Sequence, residues 1–309
     1  MKAPVSEARA GARGFALVNA LVLVAALSAA AVFVLGRAEG ARLRQAHLQP
    51  ATQASLYLDA FEAYTLTALR NDQRGGPVDG PADGWAQRGR VLEIDRGRVV
   101  GDIIDLQGRF NVNWLANVED VAAEAAFGRL LARLSMRPGL ASDVFAHLRQ
   151  GRRSTRSTLT PAVSVVGGPI LLVEQLQQVA GLRPREYDRL VPFLSALPTD
   201  SQINVNTAPI EVMQSLLPGA KAEALALRLQ QRDRRPFQSL EDFLAQVSPL
   251  LGEGGIDPLD LPRFAVGSDW FMADIAVDME ELTLRRQTVF ERRPLPFGPQ
   301  VSYRVEGRK

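Results

Sequence analysis

The sequence predicts an α+β protein: an N-terminal transmembrane helix that runs on into an amphipathic helix, an antiparallel sheet, and a large all-α segment inserted between the strands. Three observations predict it. Phe15–Leu35 is twenty-one residues without a charge, and at about 1.5 Å per residue it spans roughly 31 Å as a helix, the thickness of a bilayer core. Strand-like alternation occurs in two separated groups, near residues 91–106 and 269–305. Between them, about 113–261 carries helical periodicity broken by Gly and Pro. Strands that flank a helical block argue for one sheet with an insertion.

Taken in order, the apolar run has only Asn19 and Ser28 as polar side chains. Arg37 to about Arg70 continues as a helix, with Leu43, Leu58, Phe61, Thr65 and Leu69 on one side and a possible kink at Pro50. Gly75–Gly84 is a turn-rich loop. Val91–Asp95 and Arg98–Leu106 read as strands joined in a hairpin at Asp95-Arg96-Gly97. The helical block is expected at Val118–Ser135, Ser142–Arg149, Ile170–Ala180, Pro184–Leu197, Ala208–Leu217, Lys221–Arg232 and Leu240–Gln246. Arg149–Thr160, with four Arg and no acid, reads as a solvated loop. Asp269–Met279, Leu282–Glu291 and Gln300–Val305 return to strands, the first with Phe271, Ala273, Ile275, Val277 and Met279 on one face.

Composition narrows the function. The 36 Lys+Arg against 34 Asp+Glu leave a net charge of +2, which does not call for a nucleic-acid partner. There is no Cys, so disulfides, thiolate metals and thiol catalysis are out. His47 and His147 are the two histidines, too few for a multi-His metal site. No G-x-S-x-G, H-E-x-x-H or Walker loop occurs, and the chain is not expected to be an enzyme.

The N-terminus admits three readings: a cleaved secretory signal, a plain anchor, or a short basic leader trimmed before the helix. The apolar run is long for a cleaved signal, although Ala29-Ala30-Ala31 offers a cut site. A plain anchor gives Gly14 no role. Only the third reading uses Lys2, Arg9, Arg13, Gly14 and Phe15 together. Orientation is not readable from charge, because Arg37, Arg42 and Arg44 balance the leader's cations.

That leader resembles the class III leader of type IV pilins and type II secretion pseudopilins. The resemblance implies cleavage by a prepilin peptidase between Gly14 and Phe15, then N-methylation of Phe15. It also implies a Glu at the fifth mature position, where this chain has Asn19. A carboxylate at bilayer depth costs about 2.5–3.5 kcal/mol on insertion scales, so a subunit with no neighbour ahead of it gains nothing from one. Loss of that Glu is the signature of the tip-located minor pseudopilins of the protein K family. Two further segments are similar to that family: Gly108-Arg109-Phe110-Asn111-Val112-Asn113 and Ile203-Asn204-Val205-Asn206-Thr207-Ala208, with Ser268-Asp269-Trp270-Phe271 where the chain re-enters the sheet. The resemblance spans about residues 9–293.

It implies a leader at 1–14, a transmembrane helix at 15–36, a pilin-like α/β domain from 37–112 and 262–309, and an inserted helical domain at 113–261. The expected function is that of a tip subunit that helps start pseudopilus assembly and export folded proteins across the outer membrane. It implies other minor pseudopilins as partners, the inner membrane as the location and a periplasmic body. Calcium is a family property, but Asp143 stands alone among the basic residues of 143–153, and no cofactor is expected. Asp79, Asp83, Asp102 and Asp105 read as solvated acids.

A second reading is a membrane-tethered DNA-binding protein. Residues 203–247 resemble a helix-hairpin-helix segment whose turn is Gly219-Ala220-Lys221, with Arg228, Arg232, Arg234 and Arg235 nearby. Against it, Asn206 and Thr207 are expected simply to cap a helix beginning near Ala208.

Overall fold

The computed structural model describes residues 10–150, 168–252, 256–257, 260–280 and 282–308. These fall into two compact units, Met1–Leu56 and Tyr57–Lys309. A single helix, α1 (Ala10–Gly75), runs from the first into the second and passes through Pro50 without a break in its assignment. Helix start differs from expectation, since α1 begins before Gly14 rather than at Phe15. The expected loop at 149–160 lies almost wholly outside the described residues.

In the second unit, the described strands β1 (Arg90–Ile94), β2 (Gly97–Asp105), β7 (Trp270–Met279), β8 (Leu282–Arg293) and β9 (Gly298–Arg308) form one antiparallel sheet in the order β1-β2-β7-β8-β9. The β1–β2 hairpin closes through Ile94 and Gly97, with Arg96 at φ +70°. Strand alternation sets the two faces. Val99, Gly101, Ile103 and Asp105 of β2 lie opposite Val277, Ile275, Ala273 and Phe271 of β7, all buried. A Cβ at position 101 would overlap the Phe61 ring, so Gly101 is the gap that lets α1 approach the sheet.

The buried stripe of α1 is Leu58, Glu62, Thr65 and Leu69, at helical spacing. Glu62 carries the polar part of this packing. Arg286 and Thr288 of β8 donate to its Oε1 at 3.1 and 2.5 Å, and Arg304 of β9 donates to both oxygens at 2.8–3.0 Å. Burial pushes the Glu62 carboxyl up, but the bonds from Arg304, Thr288 and Arg286 outweigh it and leave it below the usual range. Arg286 also reaches Asp59 and Glu306.

Between β2 and β7 the chain forms a second core. Its helices are α2 (Val121–Arg133), α3 (Leu140–Gln150), α4 (Pro184–Leu190), α5 (Ile210–Leu216), α6 (Ala222–Gln231) and α7 (Leu240–Val247). They close over Phe110, Phe127, Leu130, Val144, Phe237 and Phe243. Two expected helices are not α-helical throughout. Val173–Gln178 is a 3-10 turn, and the run expected at Pro184–Leu197 stops at Leu190, because Pro192 has no N–H to continue it. Beyond it, Leu194–Ser195 (β4) pairs in parallel with Phe110–Asn111 (β3). A second parallel pair joins Ile203–Asn204 (β5) to Phe264–Ala265 (β6). The segment is therefore helical with two short parallel ladders among its described residues.

Candidate functional site

Two regions carry the chemistry that the sequence pointed to: the apolar part of α1, and a buried polar junction where the chain leaves and re-enters the sheet.

Val18–Glu39 is long and apolar enough to cross a membrane, with mean hydropathy 2.5. Its side chains, including Asn19, are exposed. Gly14 and Phe15 lie within α1, one turn before Val18. Exposed apolar side chains such as Leu21, Val24, Leu27, Phe33 and Leu35 lie on all sides of it, a surface suited to lipid or to other apolar helices.

The junction is built from Asp79, Asp105, Asn204, Ser268 and Arg292, all buried. Asp105 ends β2, and its Oδ2 accepts from Thr207 Oγ1 (2.5 Å), Ser268 Oγ (2.7 Å) and Asn204 Nδ2 (3.0 Å). Burial raises its pKa, and the hydroxyls of Ser268 and Thr207 hold it back. Asp79 accepts from Ser268 N (2.7 Å) and from the Arg292 guanidinium, which also donates to Ser268 O and to Asp72 (2.9 Å). Gln107 spans the two crossing points: its Nε2 donates to Gln202 O (2.9 Å), and its Oε1 accepts from Asp269 N (2.5 Å) and Trp270 N (3.2 Å). The expectation of solvated acids at Asp79 and Asp105 is therefore corrected. They sit on inward-facing positions and are held by donors. The β2 alternation, Val99-x-Gly101-x-Ile103-x-Asp105, was the available signal for Asp105.

The cap reading of the second Asn-x-Asn segment is also corrected. α5 starts at Ile210, and Thr207 serves Asp105 instead. Asn206 accepts from Phe237 N (2.8 Å) and donates to Phe237 O (3.0 Å) and Val266 O (3.2 Å). The first segment works alike: Asn113 accepts from Ile170 N (2.8 Å) and donates to Ile170 O (2.8 Å) and Leu197 O (2.9 Å). In both, the first Asn accepts from the backbone N–H of the second, at 3.1 and 2.9 Å.

Asp72, Asp79 and Asp83 place carboxylate oxygens within 4.8 Å of one another, and among the described residues this is the group able to hold a metal ion. Arg292 already supplies a cation to Asp72 and Asp79. Burial, and then the adjoining Asp79 carboxyl, raise the Asp72 pKa to about 7. Asp143 pairs with Arg137 (2.6 Å).

Several of the groups that a phosphate contact would need are engaged internally. Lys221 N donates to Leu250 O (3.0 Å), and Ala220 bridges Leu251. Arg232 donates to Val205 O (2.8 Å) and Ala208 O (2.5 Å), and Arg228 bonds Gln246 and lies over the Phe237 ring. Lys221, Arg234 and Arg235 stay exposed, so these internal bonds reduce what the segment offers a DNA backbone.

An apolar helix followed by an antiparallel sheet, with a long insertion between two neighbouring strands, is the layout that a pseudopilin of this kind is expected to have. The comparisons narrow the class. Residues 108–199 and 203–254 match the two family models described as type II secretion system protein K. The chain is 28% identical to the type II secretion system protein K of Pseudomonas aeruginosa, over 97% of this chain and 93% of that protein, and 28% identical to that of Klebsiella pneumoniae, over 93% and 94%. Its fold matches a chain of the GspK-GspI-GspJ complex from the enterotoxigenic Escherichia coli type 2 secretion system, with TM-score 0.69 and 23% identity, over 86% of this chain and all of that one. Over nearly its whole length the chain is thus similar to protein K of the type II secretion system.

Proposed function

We propose that this chain is the minor pseudopilin at the tip of its pseudopilus, where it helps start assembly and supports export of folded proteins across the outer membrane. On this reading residues 1–14 are removed by prepilin peptidase, Phe15 becomes the methylated N-terminus, and 15–36 sits in the inner membrane with the body in the periplasm. The domain division is the same: 37–112 and 262–309 form the pilin-like part, and 113–261 the insertion. Its role is mechanical rather than enzymatic. Other minor pseudopilins are its partners, a reading supported by the fold it shares with a chain of the GspK-GspI-GspJ complex.

The observation that carries the tip reading is Asn19. It is exposed in the middle of apolar side chains, at the place where an incorporated shaft subunit uses a carboxylate to meet the amine of the subunit ahead. An amide fits a subunit with nothing ahead of it. The insertion adds bulk that a closely stacked shaft would have to accommodate. Two measurements test this together. Mass spectrometry of the membrane-extracted protein should find a methylated Phe15 terminus, and an intact leader in cells containing the peptidase would refute processing. Affinity purification of the tagged chain should recover sister minor pseudopilins in fixed stoichiometry, and their absence would refute the assembly role.

A further inference from the structure

Two segments bring three carboxylates together: Asp72 near the end of α1, and Asp79 and Asp83 from the loop that leads to β1. One oxygen of each lies within 4.8 Å of the other two. Arg292 is the cation they share. It pairs with Asp72 (2.9 Å) and with Asp79, through an oxygen, Oδ2, that also accepts from Ser268 N (2.7 Å). The other oxygen of Asp79 is different. Asp79 is only 1% exposed, and among the described residues its Oδ1 has no hydrogen-bond partner. Asp269 and Asp105 lie close enough to feel the charge of Asp79, so they add to the negative side, while Glu291 is paired with Arg293 (3.0 Å). Three carboxylates against one guanidinium leave two negative charges in a largely desolvated place. A proton shared between two of the carboxyls cancels one of them. A divalent cation cancels both and gives the stranded oxygen a partner.

We propose that Asp72, Asp79 and Asp83 hold one calcium ion. The proposal goes beyond the tip reading and does not require it. The place is also not the one to which the family resemblance assigns calcium: it lies outside the inserted segment, where Asp143 is taken by Arg137 (2.6 Å). The donor set selects the ion. All three ligands are carboxylate oxygens, which suits a hard cation. They come from a helix end and a loop rather than from one rigid frame. Calcium accepts six to eight oxygens in a flexible shell, with water completing it, whereas magnesium demands near-octahedral geometry and sheds water reluctantly. The ion fastens the loop to α1 and, through Asp79, to the backbone of Ser268 where the chain re-enters the sheet.

The test is calorimetric titration of the full chain in detergent, first stripped with a chelator, with Ca²⁺ and separately with Mg²⁺ at neutral pH. Ca²⁺ is expected to bind saturably at one site and to raise the thermal midpoint, with Mg²⁺ at least about tenfold weaker. Asp83→Asn removes one ligand charge and leaves the contacts of Arg292 with Asp72 and Asp79 in place, so it should weaken Ca²⁺ binding about tenfold or more. Asp143→Asn, in the insertion, should leave the affinity unchanged. Absence of saturable binding, equal affinity for Mg²⁺, an unchanged affinity in Asp83→Asn, or loss of binding in Asp143→Asn would each overturn the proposal. Should Asp83→Asn fail to fold, Asp72→Asn decides, with the same weakening expected.

Discussion

Asn113 and Asn206 perform the same operation at two places in the chain: each grips both the N–H and the C=O of one distant residue, Ile170 for the first and Phe237 for the second. Each follows a short parallel ladder that ends at the preceding Asn, β3 with β4 and β5 with β6. The insertion is thus stapled twice by one local device. Each staple uses the side chain that best mimics a strand edge, an amide with one acceptor and two donors.

Removing a staple leaves buried backbone groups without partners. Asn206→Ala strands the N–H and C=O of Phe237, and each such group costs about 1–3 kcal/mol. A loss of about 2–4 kcal/mol is expected, read as a lowered midpoint in thermal or denaturant unfolding followed by near-UV circular dichroism. Asn113→Ala should behave alike, and a loss under about 0.5 kcal/mol in both would refute the staple.

The charges under α1 should be unequal in value. Glu62 and Arg286 are both buried, with side chains 5% and 6% exposed, whereas the Arg304 side chain is 48% exposed. Glu62→Ala leaves Arg286 uncompensated on its buried side and is expected to cost about 3 kcal/mol. Arg304→Ala, at the wet end of the same network, is expected to cost less than about 1 kcal/mol. A double-mutant cycle measures the difference, and equal costs would mean that burial does not set the ranking.

Acid should favour the junction at Asp72. In the folded chain this carboxyl titrates near 7, against 3.8 for the free side chain, so it holds a proton that the unfolded chain has released. Its contribution is present in acid and is lost as pH rises through that window, the reverse of an ordinary salt-bridged carboxylate. Asp79, Asp83 and Arg292 are the charges that face it. Relative to the parent, Asp72→Asn should gain stability between pH 5 and pH 8 in paired thermal melts, with roughly those pH values bracketing the shift. A parallel pair of pH profiles would show that the proton is not held there.

Asn19 gives the prediction closest to function. Asn19→Glu introduces a carboxylate whose cost at bilayer depth is about 2.5–3.5 kcal/mol when unpaired. In a tip subunit nothing ahead offers an amine to offset that cost, so export of a folded substrate should fall, while Asn19→Gln should leave it unchanged. Full export with Asn19→Glu would argue that the position has a neighbour.

The long elements were legible because their periods are unambiguous. β2 and β7 alternate cleanly over nine and ten residues, and the membrane helix needs only its uncharged length. Segments with short-range signals were not. Pro184–Leu197 has helical composition throughout, yet Pro192 ends it and Leu194 is taken by a ladder to Phe110 that no local pattern encodes. The polar junction failed for a related reason. An Asp before a turn looks wet in a linear reading, and only the strand period, followed to its last residue, turns Asp105 inward. Arg286, Thr288 and Arg292 obey the same period on β8, on the buried side with Phe290. Asp79 had no such cue, because its partners Ser268 and Arg292 lie 189 and 213 residues away.

Leu106 donates to the carbonyl of Trp270 at 3.0 Å, so the chain departs from the sheet and comes back at adjacent rungs. To the strands, everything in between is a loop of almost no span, whatever its length. Residues can therefore be added to or taken from that segment without moving the strands on either side of it.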